Sequence, residues 1–85
     1  MDKKRELELL KVRDEMEKRF VLSKLEEALA AANVYVFMKF DPETEIVHVQ
    51  FESGNKMAVN VAMDNPMAMM YDIFKAAGKR FIEEA

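Results

Sequence analysis

Side chains that commonly carry out chemistry are scarce among the 85 residues of this chain. It has one histidine, His48, no cysteine, and only Ser23 and Ser53 as serine nucleophiles. Neither serine belongs to a Gly-x-Ser-x-Gly nucleophile elbow. With two glycines in all, the chain also lacks a glycine-rich loop for binding phosphate. We therefore expect a protein that is not an enzyme.

His48 is the best candidate for a metal ligand or a general base. The alternating pattern of its strand predicts that Lys39 and Asn60 flank it on an outward face, whereas a metal site needs several histidines or carboxylates that converge. The carboxylates of Glu26 and Glu27 are adjacent in sequence and diverge around their helix. We expect no catalytic, cofactor-binding or metal site, and we interpret His48 as an exposed residue that faces a partner.

Composition narrows the class of protein further. The 13 basic and 16 acidic residues give a net charge of −3, which is the wrong sign for a protein that binds phosphate backbones. Apolar stretches fall well short of the ~18–20 residues that a membrane span needs, and the charged N-terminus does not resemble a signal peptide. These features predict a cytoplasmic protein with no membrane partner and no evident small-molecule ligand.

Periodicity along the chain predicts a single domain over residues 1–85 with five elements. The first 32 residues contain no Gly or Pro, three later segments alternate between apolar and polar residues, and Pro66 begins a second helical pattern. Short connections make neighbouring strands antiparallel. The predicted fold class is α+β, an α-β-β-β-α chain with a three-stranded meander and both helices on one face: helix 2–32, strands 33–41, 45–52 and 56–63, and helix 66–83.

Register follows from the requirement that the apolar faces of neighbouring strands coincide. This requirement pairs Met38 with Val49 in the first two strands and Val49 with Val59 in the second and third. It also places His48 opposite Asn60.

The first helix carries two apolar clusters on nearly opposite sides, and the change falls between Phe20 and Val21. Either the helix breaks near residues 19–23, or one continuous helix presents its two halves to different surfaces. No helix-breaking residue marks the position, so we favour a continuous helix of roughly 45 Å whose first half extends past the core. The first-half cluster consists of Leu9, Val12, Met16 and Phe20.

The outward face of the predicted sheet combines aromatic and amide side chains with few charges, which is typical of protein interfaces. The first half of the helix could fold back over this face, or a partner could cover it. Because a continuous helix cannot pack its halves on opposite faces of the sheet, we favour a partner, in the first place a second copy of the chain. The predicted partner interface comprises Leu9, Val12, Met16, Phe20, Tyr35, Phe37, His48, Gln50 and Asn60.

The same order of elements occurs in double-stranded-RNA-binding domains, which grip phosphates with basic residues at the start of their second helix. Here residues 65–70 read Asn-Pro-Met-Ala-Met-Met, and the first basic residue in that helix is Lys75. The order of elements therefore agrees with that of the RNA-binding domains, but the basic residues that would contact phosphates are missing from the start of the helix. Binding of nucleic acid through this fold is retained as an alternative function.

Two stretches carry a resemblance to known proteins. Residues 51–64, FESGNKMAVNVAMD, and residues 68–76, AMMYDIFKA, together resemble small uncharacterised proteins of phages and prophages of Gram-positive bacteria. The resemblance implies an accessory role in which the protein binds a host protein, as anti-CRISPR inhibitors of host defence do. The turn Asp41-Pro42-Glu43-Thr44 and the Glu/Lys/Ala-rich first helix also resemble designed proteins, so a designed scaffold without a natural function is a further alternative.

Overall fold

A computed structural model describes residues 3–84 and has the predicted order of elements. Helices and strands alternate as helix, three strands and helix, and the sheet order is β1-β2-β3 with antiparallel neighbours. The α+β class and the α-β-β-β-α meander are therefore confirmed. The elements are α1 (Lys3–Ala31), β1 (Val36–Asp41), β2 (Ile46–Phe51), β3 (Lys56–Asn60) and α2 (Pro66–Glu84).

The first helix runs without a break through the position where its apolar side changes. It ends at Ala31, and Asn33, two residues later, adopts φ 65°. The Asn33 N–H donates to Ala30 and the Val34 N–H donates to Leu29, which is the hydrogen-bond pattern of a Schellman cap. Asparagine tolerates the left-handed conformation that this cap requires, so the helix stops here without a glycine.

One of the two predicted strand registers is wrong. The pairing of Met38 with Val49 is as predicted, but Val49 lies opposite Met57 and not Val59. The hairpin loop occupies residues 52–54, with Gly54 in its third position at φ 94°. Three-residue hairpin loops take a left-handed residue in that position, whereas the prediction placed Gly54 in the middle. A shift of two residues leaves every side chain on its predicted face.

Both helices pack on one face of the sheet, where the alternating strand residues are buried. On α2 the buried residues are Met69, Ile73, Ala77 and Phe81, spaced four apart. The sequence pattern places Met67 in the core and Met69 outside it, whereas Met69 is fully buried and Met67 is 74% exposed. Asn65 caps this helix, since its Oδ1 accepts a hydrogen bond of 2.8 Å from the Ala68 N–H.

The molecule is elongated, with extents of 50 × 21 × 19 Å. Its radius of gyration is 14.1 Å, against about 12 Å for a compact chain of this length. The first part of α1 is the cause, because residues 3–13 are all exposed and the buried residues of this helix begin at Lys18. The helix therefore extends past the sheet on which its second half packs.

Candidate functional site

A stripe of exposed apolar side chains follows the first two thirds of α1. Leu9, Val12, Met16 and Phe20 are each between 53% and 65% exposed. These are the four residues of α1 that the sequence assigns to a partner interface. Large apolar side chains this accessible, grouped on one surface, are typical of interaction sites.

Helix geometry explains why the stripe faces away from the sheet. Lys18, Leu22 and Leu25 are buried and face the core. Met16 and Phe20 each lie two residues from Lys18, which at about 100° per residue turns them about 160° away from it. The stripe therefore points out of the helical layer, opposite to the sheet.

The start of α2 extends this apolar surface. Pro66 lines a shallow groove along α1 together with Val12, Met16 and Phe20, and Met70 lines a neighbouring depression beside Phe20. Met67 and Tyr71 lie four residues apart on α2, each about 160° around the helix from the buried Met69, and are 74% and 66% exposed. We call this surface the helical face and define it as Leu9, Val12, Met16, Phe20, Pro66, Met67, Met70 and Tyr71.

Charged side chains run along α1 between its apolar stripe and the start of α2. Arg13 Nε lies 3.1 Å from Glu17 Oε1, and both side chains are at least half exposed. Further along, Lys24 Nζ lies 5.5 Å from the centre of the Phe20 ring. The apolar stripe therefore has a rim of alternating charge.

The sheet presents a second open surface on its other side. Phe37 is 76% exposed and Tyr35 53% exposed, and His48, Gln50 and Asn60 are exposed beside them. Because α1 is one continuous helix on the opposite side, its first half does not fold back over this surface. We call this surface the sheet face and define it as Tyr35, Phe37, Lys39, His48, Gln50, Ala58 and Asn60.

His48 has neighbours that differ in part from the predicted ones. It pairs with Lys39 on β1, as predicted, and with Ala58 on β3, where the sequence pattern places Asn60. The two-residue shift of the β2–β3 hairpin accounts for the difference. Within residues 3–84, no three His, Asp or Glu side chains are grouped so that they could hold a metal ion.

The nine predicted interface residues lie on two surfaces that point in opposite directions. Leu9, Val12, Met16 and Phe20 lie on the helical face, and the other five lie on the sheet face. A single partner of ordinary size that binds flat against one side reaches only one of the two sets. The nine residues therefore do not form one continuous surface on the single chain.

The free edge of β1 is partly closed by a side chain from α1. Glu26 is half-buried beside the strand, and this burial raises the pKa of its carboxyl. A hydrogen bond from the Met38 backbone N–H opposes that rise. Edge strands with free donors tend to recruit other strands, so the carboxylate of Glu26 protects this edge.

An ion pair between a buried lysine and a partly exposed aspartate lies beneath the junction between the two halves of α1. Lys18 is only 1% exposed, and its Nζ lies 3.0 Å from Asp14 Oδ2 and 5.3 Å from the centre of the Phe40 ring. Apolar spacing does not identify this lysine as a core residue. Its only sequence signal is that it lies four residues before Leu22 and four after Asp14, on one side of the helix.

Asp64, in the loop before α2, lies near both Lys18 and Asp72. Hydrogen bonding with Asp72, partial burial and repulsion from the Asp72 carboxylate raise the pKa of Asp64, while the charge of Lys18 lowers it. Asp64 Oδ2 is shielded from solvent and accepts no hydrogen bond. These contacts therefore favour the protonated form of the Asp64 carboxyl.

Comparison of the chain with protein-family models, curated proteins and solved structures finds no match. Neither helix within residues 3–84 combines the length and apolar character needed to cross a membrane.

Proposed function

We propose that this chain is a non-enzymatic protein-binding module that pairs with a second copy of itself through the helical face. The observation that carries the proposal is the row of exposed apolar residues on α1, continued by Met67 and Tyr71 on α2. In a lone chain these side chains contact water. In a dimer with two-fold symmetry the same patch covers itself.

The accessible area supports this proposal. The chain exposes 6326 Å², whereas a compact monomer of this mass exposes about 5,200 Å². The excess is comparable with the ~800 Å² that each partner contributes to an ordinary stable interface. Pairing through the helical face brings the exposed area close to that of a compact subunit.

The sheet face remains open in such a dimer and supplies a site for a different protein. Its aromatic residues, Tyr35 and Phe37, and its amides, Gln50 and Asn60, are side chains common at interface centres. The resemblance to phage proteins suggests the kind of partner, a host protein in the cytoplasm. Inhibition of a host defence protein is the form of this function that we propose.

Light scattering after size exclusion tests the self-association. The native chain is expected to have the mass of a dimer at high micromolar concentration. The double variant Met16→Glu/Phe20→Glu places four carboxylates in the interface and is expected to be a monomer with an unchanged helical circular-dichroism spectrum. Phe37→Glu is the matched control, since it adds a charge at an exposed aromatic on the sheet face and is expected to remain a dimer. A native chain that is monomeric at this concentration contradicts the proposal.

Capture of host proteins tests the second site. A bacterial protein retained by the native chain and by Met16→Glu/Phe20→Glu, and lost with Tyr35→Ser/Phe37→Ser, binds the sheet face as proposed. Retention by all three chains places its site elsewhere and contradicts the assignment of the sheet face.

A further inference from the structure

We infer that the two copies pair their α1 helices antiparallel, with the two-fold axis crossing the apolar stripe at the level of residue 15. This inference rests on the proposed function and specifies the partner surface and its register. It is carried by the charges that border the stripe, by the position of the stripe, and by the extension of α1 past the sheet.

Four exposed charged residues lie along one border of the stripe, and their signs alternate: Glu6, Arg13, Glu17 and Lys24. At about 100° per residue their directions differ by no more than about 40°. In an antiparallel pair this border of one helix lies against the same border of the other. A two-fold axis at residue 15 then brings Glu6 of one copy opposite Lys24 of the other, and Arg13 opposite Glu17.

The midpoint of the apolar stripe along α1 nearly coincides with the midpoint of the four charged residues. Its ends, Leu9 and Phe20, have their midpoint between residues 14 and 15. One axis therefore aligns the apolar side chains and pairs all four charges of this border with opposite charges. Complementary charge at the rim of an apolar contact fixes its register.

The antiparallel pairing also covers the part of α1 that extends past the sheet. The axis at residue 15 lays residues 3–13 of one copy along the folded half of the other. Leu9, which is 58% exposed in the single chain, then lies level with Val21 of the second copy, in the part of the groove that Pro66 lines. A parallel pair leaves the start of α2 uncovered, because the two extended segments then contact only each other.

Charge reversal tests the register. Glu6 and Lys24 are about 27 Å apart along a single helix, too far for contact within one chain. Glu6→Lys alone and Lys24→Glu alone are each expected to raise the dissociation constant of the dimer roughly tenfold, since each creates two like-charge contacts per dimer. The double variant Glu6→Lys/Lys24→Glu is expected to return to within about threefold of the native value. Additive weakening in the double variant overturns the inference.

Cysteine crosslinking tests the direction of the helices, and the native chain has no cysteine to interfere. Met16→Cys lies next to the axis and is expected to form a disulfide with its own copy under mild oxidation. Leu9→Cys and Phe20→Cys are each expected to crosslink only when the two variants are mixed. Glu43→Cys, in the exposed β1–β2 loop, is the control for random collision.

The crosslinking and mass measurements distinguish a failure of the antiparallel arrangement from a failure of self-association. A dimer in which Leu9→Cys and Phe20→Cys each crosslink to themselves has parallel helices, which overturns the inference and leaves self-association intact. A native chain with no dimer mass overturns both.

Discussion

The two halves of α1 belong to one continuous helix and have opposite environments. Leu22 and Leu25 in the second half are at most 7% exposed, whereas Leu9 and Met16 in the first half are 58% and 65% exposed. Both halves are rich in residues that favour helix, so local propensity does not distinguish them. What differs is the surface against which each half packs.

The comparison shows that local residue preferences can form one continuous helix whose two halves are stabilised by different contacts. The second half gains its stability from burial against the sheet, as most helices in proteins do. The first half has ion pairs at four-residue spacing, such as Arg13 with Glu17 and Arg19 with Glu15. Exposed pairs of this kind contribute only about 0.3–0.5 kcal/mol each. A second copy is the additional source of stability that we propose.

The largest effect is expected from a matched pair of leucine substitutions, one in each half. Leu22→Ala leaves a cavity in the core and is expected to lower the free energy of unfolding by about 2–5 kcal/mol. Leu9→Ala is expected to change it by about 0.5 kcal/mol or less in dilute, monomeric protein. Urea denaturation followed by circular dichroism measures both values. Equal losses from the two variants contradict the division of α1 into a packed and an unpacked half.

An intermediate effect is expected at the junction of the halves. Asp14→Ala leaves the Lys18 ammonium buried without its anion and is expected to cost about 1–3 kcal/mol, less than for a fully buried pair because Asp14 is partly exposed. Adding Lys18→Met removes the buried charge and is expected to recover most of that loss. The same denaturation experiment measures both variants, and a double variant as unstable as Asp14→Ala argues against a buried charge at this position.

The smallest effect is expected from the pH dependence of stability that Asp64, in the loop before α2, contributes. Because the pKa of Asp64 is raised above its usual value of 3.8, the folded chain holds this proton more tightly than the unfolded chain does. This contribution to stability therefore grows as pH falls from neutral through the folded pKa and is complete below 3.8. Asp64→Asn, which mimics the protonated form, is expected to be the more stable protein at pH 7 and to lose its advantage by about pH 4.

Asp41 supplies the control for this measurement, since its shift has the opposite sign. The Glu43 backbone N–H donates to Asp41 Oδ1 at 3.0 Å and lowers the pKa of this carboxyl. Its contribution is present above pH 3.8 and is lost only as pH falls through the lower folded pKa. Asp41→Asn therefore leaves the dependence between pH 7 and about 5 unchanged. An equal slope in native chain and Asp64→Asn contradicts the assignment to Asp64.

Much of the fold could be predicted because its signals are local. Alternation of apolar residues identified the three strands, and the capping sequence Asn65-Pro66 marked the start of α2. The register of the second hairpin could not be predicted from the positions of its apolar residues alone, because a shift of two residues preserves them. It depended on where Gly54 must lie in a three-residue loop. The rotation of α2 that buries Met69 depended on its packing against the sheet, which no spacing within the helix specifies.

The exposed residues of α1 and of the sheet could be grouped from the sequence, but the contribution of α2 to the helical face could not. Leu9, Val12, Met16 and Phe20 could be grouped from helical periodicity, and the exposed aromatics Tyr35 and Phe37 from alternation. Their placement on opposite sides follows from the prediction that both helices lie on one face of the sheet. The position of Met67 and Tyr71 beside the α1 stripe could not be predicted, because it depends on the packing of α2 beside α1, which is a tertiary property.

The opposite directions of the two open surfaces determine what a dimer built on the helical face can bind. Each copy turns its sheet face away from the axis, so the pair displays two identical sites separated by up to two molecular thicknesses of 19–21 Å. Such a dimer is bivalent. A target that carries two matching epitopes at this spacing, or that is itself symmetric, is held far more tightly than either site alone can hold it. A dimer of the kind that we propose would therefore select targets by the spacing of their repeated epitopes as well as by their surface chemistry.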